Sequence, residues 1–158
     1  MKASTVKEIQ LELEQSTQPE LVALCLRLAK FKKENKELLT YLLFESFDQE
    51  AYLRSVKDQM DQQFGEINMS SPYFIKKSLR KILRTAAKYI RYTGTDTFEV
   101  QLLIHFCQVM LEKKMPLNKS TALMNIYQSQ LKKIEKAIKG MHEDLQYDFL
   151  KELQELRS

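Results

Sequence analysis

Apolar residues recur every three or four positions along almost the whole chain, and nowhere do they alternate with polar residues as in a half-buried strand. Thr5 and Glu8 read as a capping box before Val6, Ile9 and Leu13, so a first helix is expected to run to about residue 15. Thr17 and Glu20 repeat the box with Pro19 in the first turn, and Leu21, Leu24, Cys25 and Leu28 form the stripe of a second helix ending near residue 30. Residues 30–37 read as a polar joint. A third helix carries Leu38, Leu39, Leu42 and Leu43 and stops near Ser46. The stretch from Ser46 to Gln49 looks like another cap, followed by Tyr52, Val56, Met60 and Phe64 at four-residue spacing up to Gly65.

The second half continues in the same way. Ser71, Pro72 and Gly94 frame a long helix over 71–93, with a cap, a proline in the first turn and a glycine stop. Asp96 to Glu99 open the next helix with an acidic cap. Through Leu111 that helix is apolar nearly all round, which places it at the centre of a fold with the preceding helix as its antiparallel neighbour. Pro116 and Asn118 are expected to open a seventh helix, with Leu123, Tyr127, Leu131, Ile134 and Ile138 as its seam. Leu145, Phe149, Leu153 and Leu156 mark the last.

The pattern therefore predicts an all-α chain of seven or eight helices in consecutive antiparallel hairpins. Residues 1–158 are read as one domain, since that length suits a single core. Helix starts near Asn35, Pro72 and Asn118 lie roughly forty residues apart, close to the helix-pair period of HEAT-type arrays. An α-α superhelix resembling such a stack is favoured over a closed helical bundle. The resemblance is one of spacing and carries no site residues.

Composition agrees with helix. Only three Gly and three Pro occur, and 29% of residues are charged. The longest dense apolar stretch, residues 100–111, contains Gln101, His105 and Gln108 and is too short to span a bilayer. The segment MKASTVKEIQ lacks the apolar core of a secretory signal, so a cytoplasmic protein without membrane association is expected.

Charge changes the picture more. The net charge is only +4, but residues 1–66 carry nine basic and twelve acidic side chains, whereas residues 67–114 carry nine basic and three acidic. Between Glu66 and Asp96 every charge is positive: Lys76, Lys77, Arg80, Lys81, Arg84, Lys88 and Arg91. At about 100° per residue these seven fall on an arc of roughly 140°, mostly opposite Ile75, Leu79, Ile82, Leu83, Ala86 and Ile90. The stripe reads either as a solvated face paired with acidic neighbours from the first third, or as a docking face for phosphates or an acidic partner. Tyr73, Tyr89 and Tyr92 lie beside it. They could stack bases, but anchoring of helix packing is the favoured role.

Candidate chemistry is sparse. Cys25 and Cys107 fall on apolar stripes of separate helices and are expected to be buried free thiols. His142-Glu143 resembles the start of a zinc-protease helix, but Gln146 stands where the second His belongs. His105, in the most apolar helix, is expected to be a hydrogen-bonded core residue. Three scattered glycines make no phosphate loop, and no motif pairs a nucleophile with a base. The expectation is a non-enzymatic helical module that binds another protein and uses no cofactor or metal. Binding of nucleic-acid phosphates by the basic face is the alternative. An enzyme with a distributed site would need a deep pocket holding His105 or several carboxylates.

Overall fold

Short polar side chains start the helices. Thr5 and Glu8 exchange bonds, with the Thr5 N–H donating to Glu8 Oε2 at 2.7 Å and the Glu8 N–H to Thr5 Oγ1 at 3.3 Å. Thr17 and Glu20 do the same. A computed structural model describes residues 1–158 and contains eight α-helices and no strand. They are α1 (Val6–Glu14), α2 (Gln18–Phe31), α3 (Lys33–Thr40), α4 (Gln49–Gly65), α5 (Pro72–Thr93), α6 (Asp96–Glu112), α7 (Thr121–Lys139) and α8 (Glu143–Arg157). None is long and apolar enough to cross a membrane.

The chain divides into two compact units, Met1–Phe44 and Glu45–Ser158. In the first, α2 packs against α3, and the joint between them is one extended residue, Lys32. The polar joint expected over 30–37 is thus mostly helical. Lys and Glu are good helix formers, and Asn35 Nδ2 bonds the Leu28 carbonyl at 2.8 Å, tying the new helix to the end of the old one. A π-helical turn, Tyr41–Glu45, follows α3.

In the second unit α6 touches α4, α5, α7 and α8. Contacts between alternate helices set α4, α6 and α8 in one row and α5 and α7 in another. Nine of the α6 side chains are buried, among them Val100, Leu102, Phe106 and Cys107, which have no exposed surface. The seam Tyr52–Val56–Met60–Phe64 of α4 is buried, and the Phe64 ring lies 5.3 Å from that of Phe106. The seam of α7 is buried as expected. On α8, Leu145 stays exposed while Phe149, Leu153 and Leu156 are covered.

Several helix starts differ from the sequence reading. Asp48, not Ser46, caps α4, accepting from the Ala51 N–H at 3.0 Å. Thr95 caps α6, so Asp96 is its first residue. Asn118 lies in a short 3-10 turn, Leu117–Lys119, which Pro116 precedes, and Ser120 caps α7. In each case the hydroxyl or carboxylate directly before the first helical residue takes the role. Gly94 stops α5 with φ of 64°, the left-handed geometry that glycine adopts without strain.

Candidate functional site

The basic stripe lies on the outer face of α5. Lys77, Arg80, Lys81, Arg84 and Arg91 are exposed, and Lys76 and Lys88 are half-buried. The close ion pairs of the chain join Lys33 with Glu37, Arg157 with Glu135, His105 with Asp61 and His142 with Asp144, and none includes these seven cations. Lys76 Nζ sits 5.8 Å above the Tyr73 ring. Tyr73 itself is exposed.

The other two tyrosines near the stripe are packing residues. The Tyr89 hydroxyl donates to Gln59 Oε1 at 2.7 Å, joining α5 to α4. Its ring stands edge-on to Tyr52 and Tyr92, and Tyr52 stacks on Phe98 at 5.6 Å. An aromatic cluster thus joins α4, α5 and α6, and its rings are not free for bases.

His105 is half-buried, with Nε2 2.5 Å from Asp61 Oδ1, so it bridges α6 and α4 near the surface. His142 caps α8, its Nδ1 accepting from the Asp144 N–H at 3.3 Å. Cys107 is fully buried, and burial pushes its thiol up to about 12, which removes thiolate character at ordinary pH. Cys25 contradicts its expected burial: it is exposed. The reason is that the seam it sits on meets only the short α3, and the groove between the two helices stays open.

That uncovered seam extends through the first unit. No residue from Met1 to Thr40 is buried. In α2, Val22, Leu24, Leu26, Leu28 and Phe31 are all at least 45% exposed. In α1, Val6, Ile9, Leu11 and Leu13 are exposed, as are Leu38, Leu42 and Leu43 beyond. A groove of about 190 Å³ runs between α2 and α3 over Cys25, Leu28, Leu39 and Leu42. A wider one of about 510 Å³ lies between α1 and α2. A helix apolar on most sides is normally buried. Sequence periodicity marked Val6, Ile9, Leu13, Leu24, Leu28, Leu38, Leu42 and Leu43 as apolar seams but carried no signal that they stay exposed, and it placed Leu11, Val22, Leu26 and Phe31 on no seam.

The second unit holds a cleft of about 590 Å³ between α5, α6 and α7. Leu83, Ala87, Ile90, Leu103 and Ala137 supply apolar wall, and Arg91, Asp96, Glu99, Lys133 and Lys136 supply charge. Burial raises the Glu99 pKa above the usual carboxylate value and Asp96 adds to the shift, while Lys133 and Lys136 oppose it. Of these residues the sequence offered only Arg91 as a candidate site residue. The basic run Lys132, Lys133, Lys136 and Lys139 at helical spacing was the available signal for the α7 side. His105 does not line the cleft. Comparison of the chain with protein-family models, curated proteins and solved structures gives no match to any of them.

Proposed function

We propose that the chain is a non-enzymatic helical interaction module that binds another protein through the apolar faces of α2 and α3. The observation that carries this reading is the exposure of Leu24 and Leu28 on α2, of Leu38 on α3 and of Leu42 in the turn that follows it. Exposed apolar area of this extent marks a surface that is covered in an assembly. The partner is a protein with a complementary apolar helix or groove, recognised through side chains at i and i+4, as in helix-in-groove docking. Local charge does not oppose this. The first unit has seven basic and six acidic side chains, so no strong field of one sign surrounds the seam.

The test is the double substitution Leu24→Glu, Leu28→Glu. Helical content and melting temperature are expected to stay at the parent values, because both side chains already face water. In extracts of the producing cell the parent chain is expected to migrate on gel filtration in a complex larger than itself, and the double variant alone. A parent chain that migrates alone ends the reading. A variant that unfolds shows instead that the seam is core.

A second reading rests on the α5 stripe, whose cations are open to solvent or half-buried and without carboxylate partners. It assigns nucleic-acid phosphates to the Lys77, Arg80, Lys81 and Arg84 face. Contact would be electrostatic and independent of sequence, with about five cations giving a log-log salt slope near −4 to −5 on duplex DNA. Absence of binding at low salt removes this reading and leaves the first intact.

A further inference from the structure

Charge in the second unit is sorted by layer. The row of α5 and α7 carries eleven Lys and Arg and one acidic residue, Glu135, which pairs with Arg157 of α8. The row of α4, α6 and α8 carries four basic and eleven acidic side chains. Sequence order hides this, because α6 lies between the two basic helices along the chain. None of the eleven cations forms an ion pair within the chain. Asp96 and Glu99 share the cleft with Arg91, Lys133 and Lys136 and offset part of their charge.

Within the basic row the cations of the two helices match. Arg84, Lys88 and Arg91 are spaced four and then three residues apart, and Lys132, Lys136 and Lys139 repeat that spacing. All but Lys88, which is half-buried, are exposed. Packing sets the two triplets side by side. Residues 83–91 of α5 and 130–140 of α7 line one cleft, and the Cβ position of Gly140 lies 2.8 Å from Asp96 Oδ2, just past the end of α5. The two helices therefore run parallel, end beside end. Packed helices stand about 8–10 Å apart. Each triplet spans about 10 Å at 1.5 Å of rise per residue. Arg91, Lys136 and Lys139 also complement the negative ends of their helices, but that effect is confined to the last turn and leaves Arg84 and Lys132 unexplained.

Two matched rows of cations fit the phosphates of a double helix. The minor groove of B-DNA is about 6 Å wide, so rows at this separation, on long side chains, reach phosphates on both of its sides. The panel holds no free aromatic ring for the bases of a single strand. Tyr89 and Tyr92 are held in the cluster with Tyr52, and Tyr127 is buried. Lys and Arg only donate hydrogen bonds and offer no acceptor to the 2′-hydroxyl that marks RNA. We propose that α7 completes the α5 face as a two-row surface for duplex DNA, with Arg84, Lys88 and Arg91 on the phosphates of one strand and Lys132, Lys136 and Lys139 on those of the other. Repulsion from the acidic row confines contact to this face. The proposal rests on the second reading above and adds to it the α7 row and the duplex form of the partner.

The experiment measures, by fluorescence anisotropy, binding of the full chain to a short DNA duplex of random sequence, to its separate strands and to the matching RNA duplex, between about 50 and 200 mM salt. About five contacts from α5 and three from α7 give an expected log-log slope near −7 on the DNA duplex. Lys132→Gln, Lys136→Gln and Lys139→Gln together are expected to return it to about −4 to −5 and to weaken binding at least about tenfold. Arg at the same three positions is expected to keep parent binding, as is Lys151→Gln on α8, outside the panel. Single strands and the RNA duplex are expected to bind more weakly than the DNA duplex. Lys132→Gln alone, about two turns from the end of α7, should flatten the slope by about 1 and decides the matter should the triple variant lose stability. A parent slope of about −4 to −5 that the α7 variants leave unchanged overturns the proposal and spares the second reading. Single strands or an RNA duplex bound as tightly as the DNA duplex overturn the choice of partner. Absence of duplex binding at low salt ends the proposal together with that reading.

Discussion

The Tyr127 hydroxyl donates to the Leu156 carbonyl oxygen at 2.5 Å, fastening the last turn of α8 to the middle of α7. Both residues are buried. Burial pushes the Tyr127 hydroxyl up to about 12, with Cys107 adding to the shift, and burial pushes the Cys107 thiol to about 12 as well. Both acids are therefore held neutral by the fold. Their stabilising effect is complete below the ordinary values, 9.0 for the thiol and 10.0 for the phenol, and is lost as pH rises from there through about 12. The slope in that window is up to about 1.4 kcal/mol per pH unit for each group. Urea midpoints measured from pH 8 to 11 should fall, and the pair Cys107→Ala, Tyr127→Phe should fall less steeply from a lower start. Parallel curves would contradict the assignment.

Truncation should separate the two units. Phe106 has no exposed surface, so Phe106→Ala is expected to lose about 3–5 kcal/mol of stability, and Phe106→Asp to prevent folding by placing an unpaired charge in the core. Leu28 is 61% exposed, and Leu28→Ala should change stability by no more than about 0.5 kcal/mol. Denaturant titration of the two alanine variants reads the contrast. Equal losses would mean that both side chains are core.

Much of the helix map was legible because capping residues and apolar spacing are local. Thr5, Thr17, Ser71 and Gly94 act where sequence places them, and the mostly apolar run from Phe98 to Met110 does lie centrally in its unit. Caps were misread where two candidates lay close together, as with Ser46 and Asp48. The exposed state of Cys25 was not legible, since periodicity reports which residues share a face and not whether anything covers it. The cleft was equally hidden. Arg91, Glu99, Gln130 and Lys136 come from three helices, and only their packing brings them together.

Thiol labelling gives a direct reading of that difference. Cys25 is exposed and should react with a maleimide within minutes in native buffer, while Cys107, buried and held as a neutral thiol, should need denaturant. Mass spectrometry after brief labelling is expected to show one adduct. Two adducts would show that α6 opens readily, and none would show that Cys25 is covered.

The α5 cations make no ion pairs, so Lys77→Gln, Arg80→Gln and Arg84→Gln together should leave the melting temperature nearly unchanged. If the stripe contacts phosphates, the same triple variant binds duplex DNA more weakly on every sequence and with a shallower salt slope. A marked drop in stability would instead reveal a structural role for these side chains.

Photocrosslinking from position 24 tests the docking of the α2 face most directly. With a photoreactive residue replacing Leu24 in the producing cell, irradiation is predicted to join the chain covalently to a different polypeptide, and Leu28→Glu is predicted to abolish that product. Efficient incorporation with no adduct, or an adduct only to a second copy of this chain, would contradict the account.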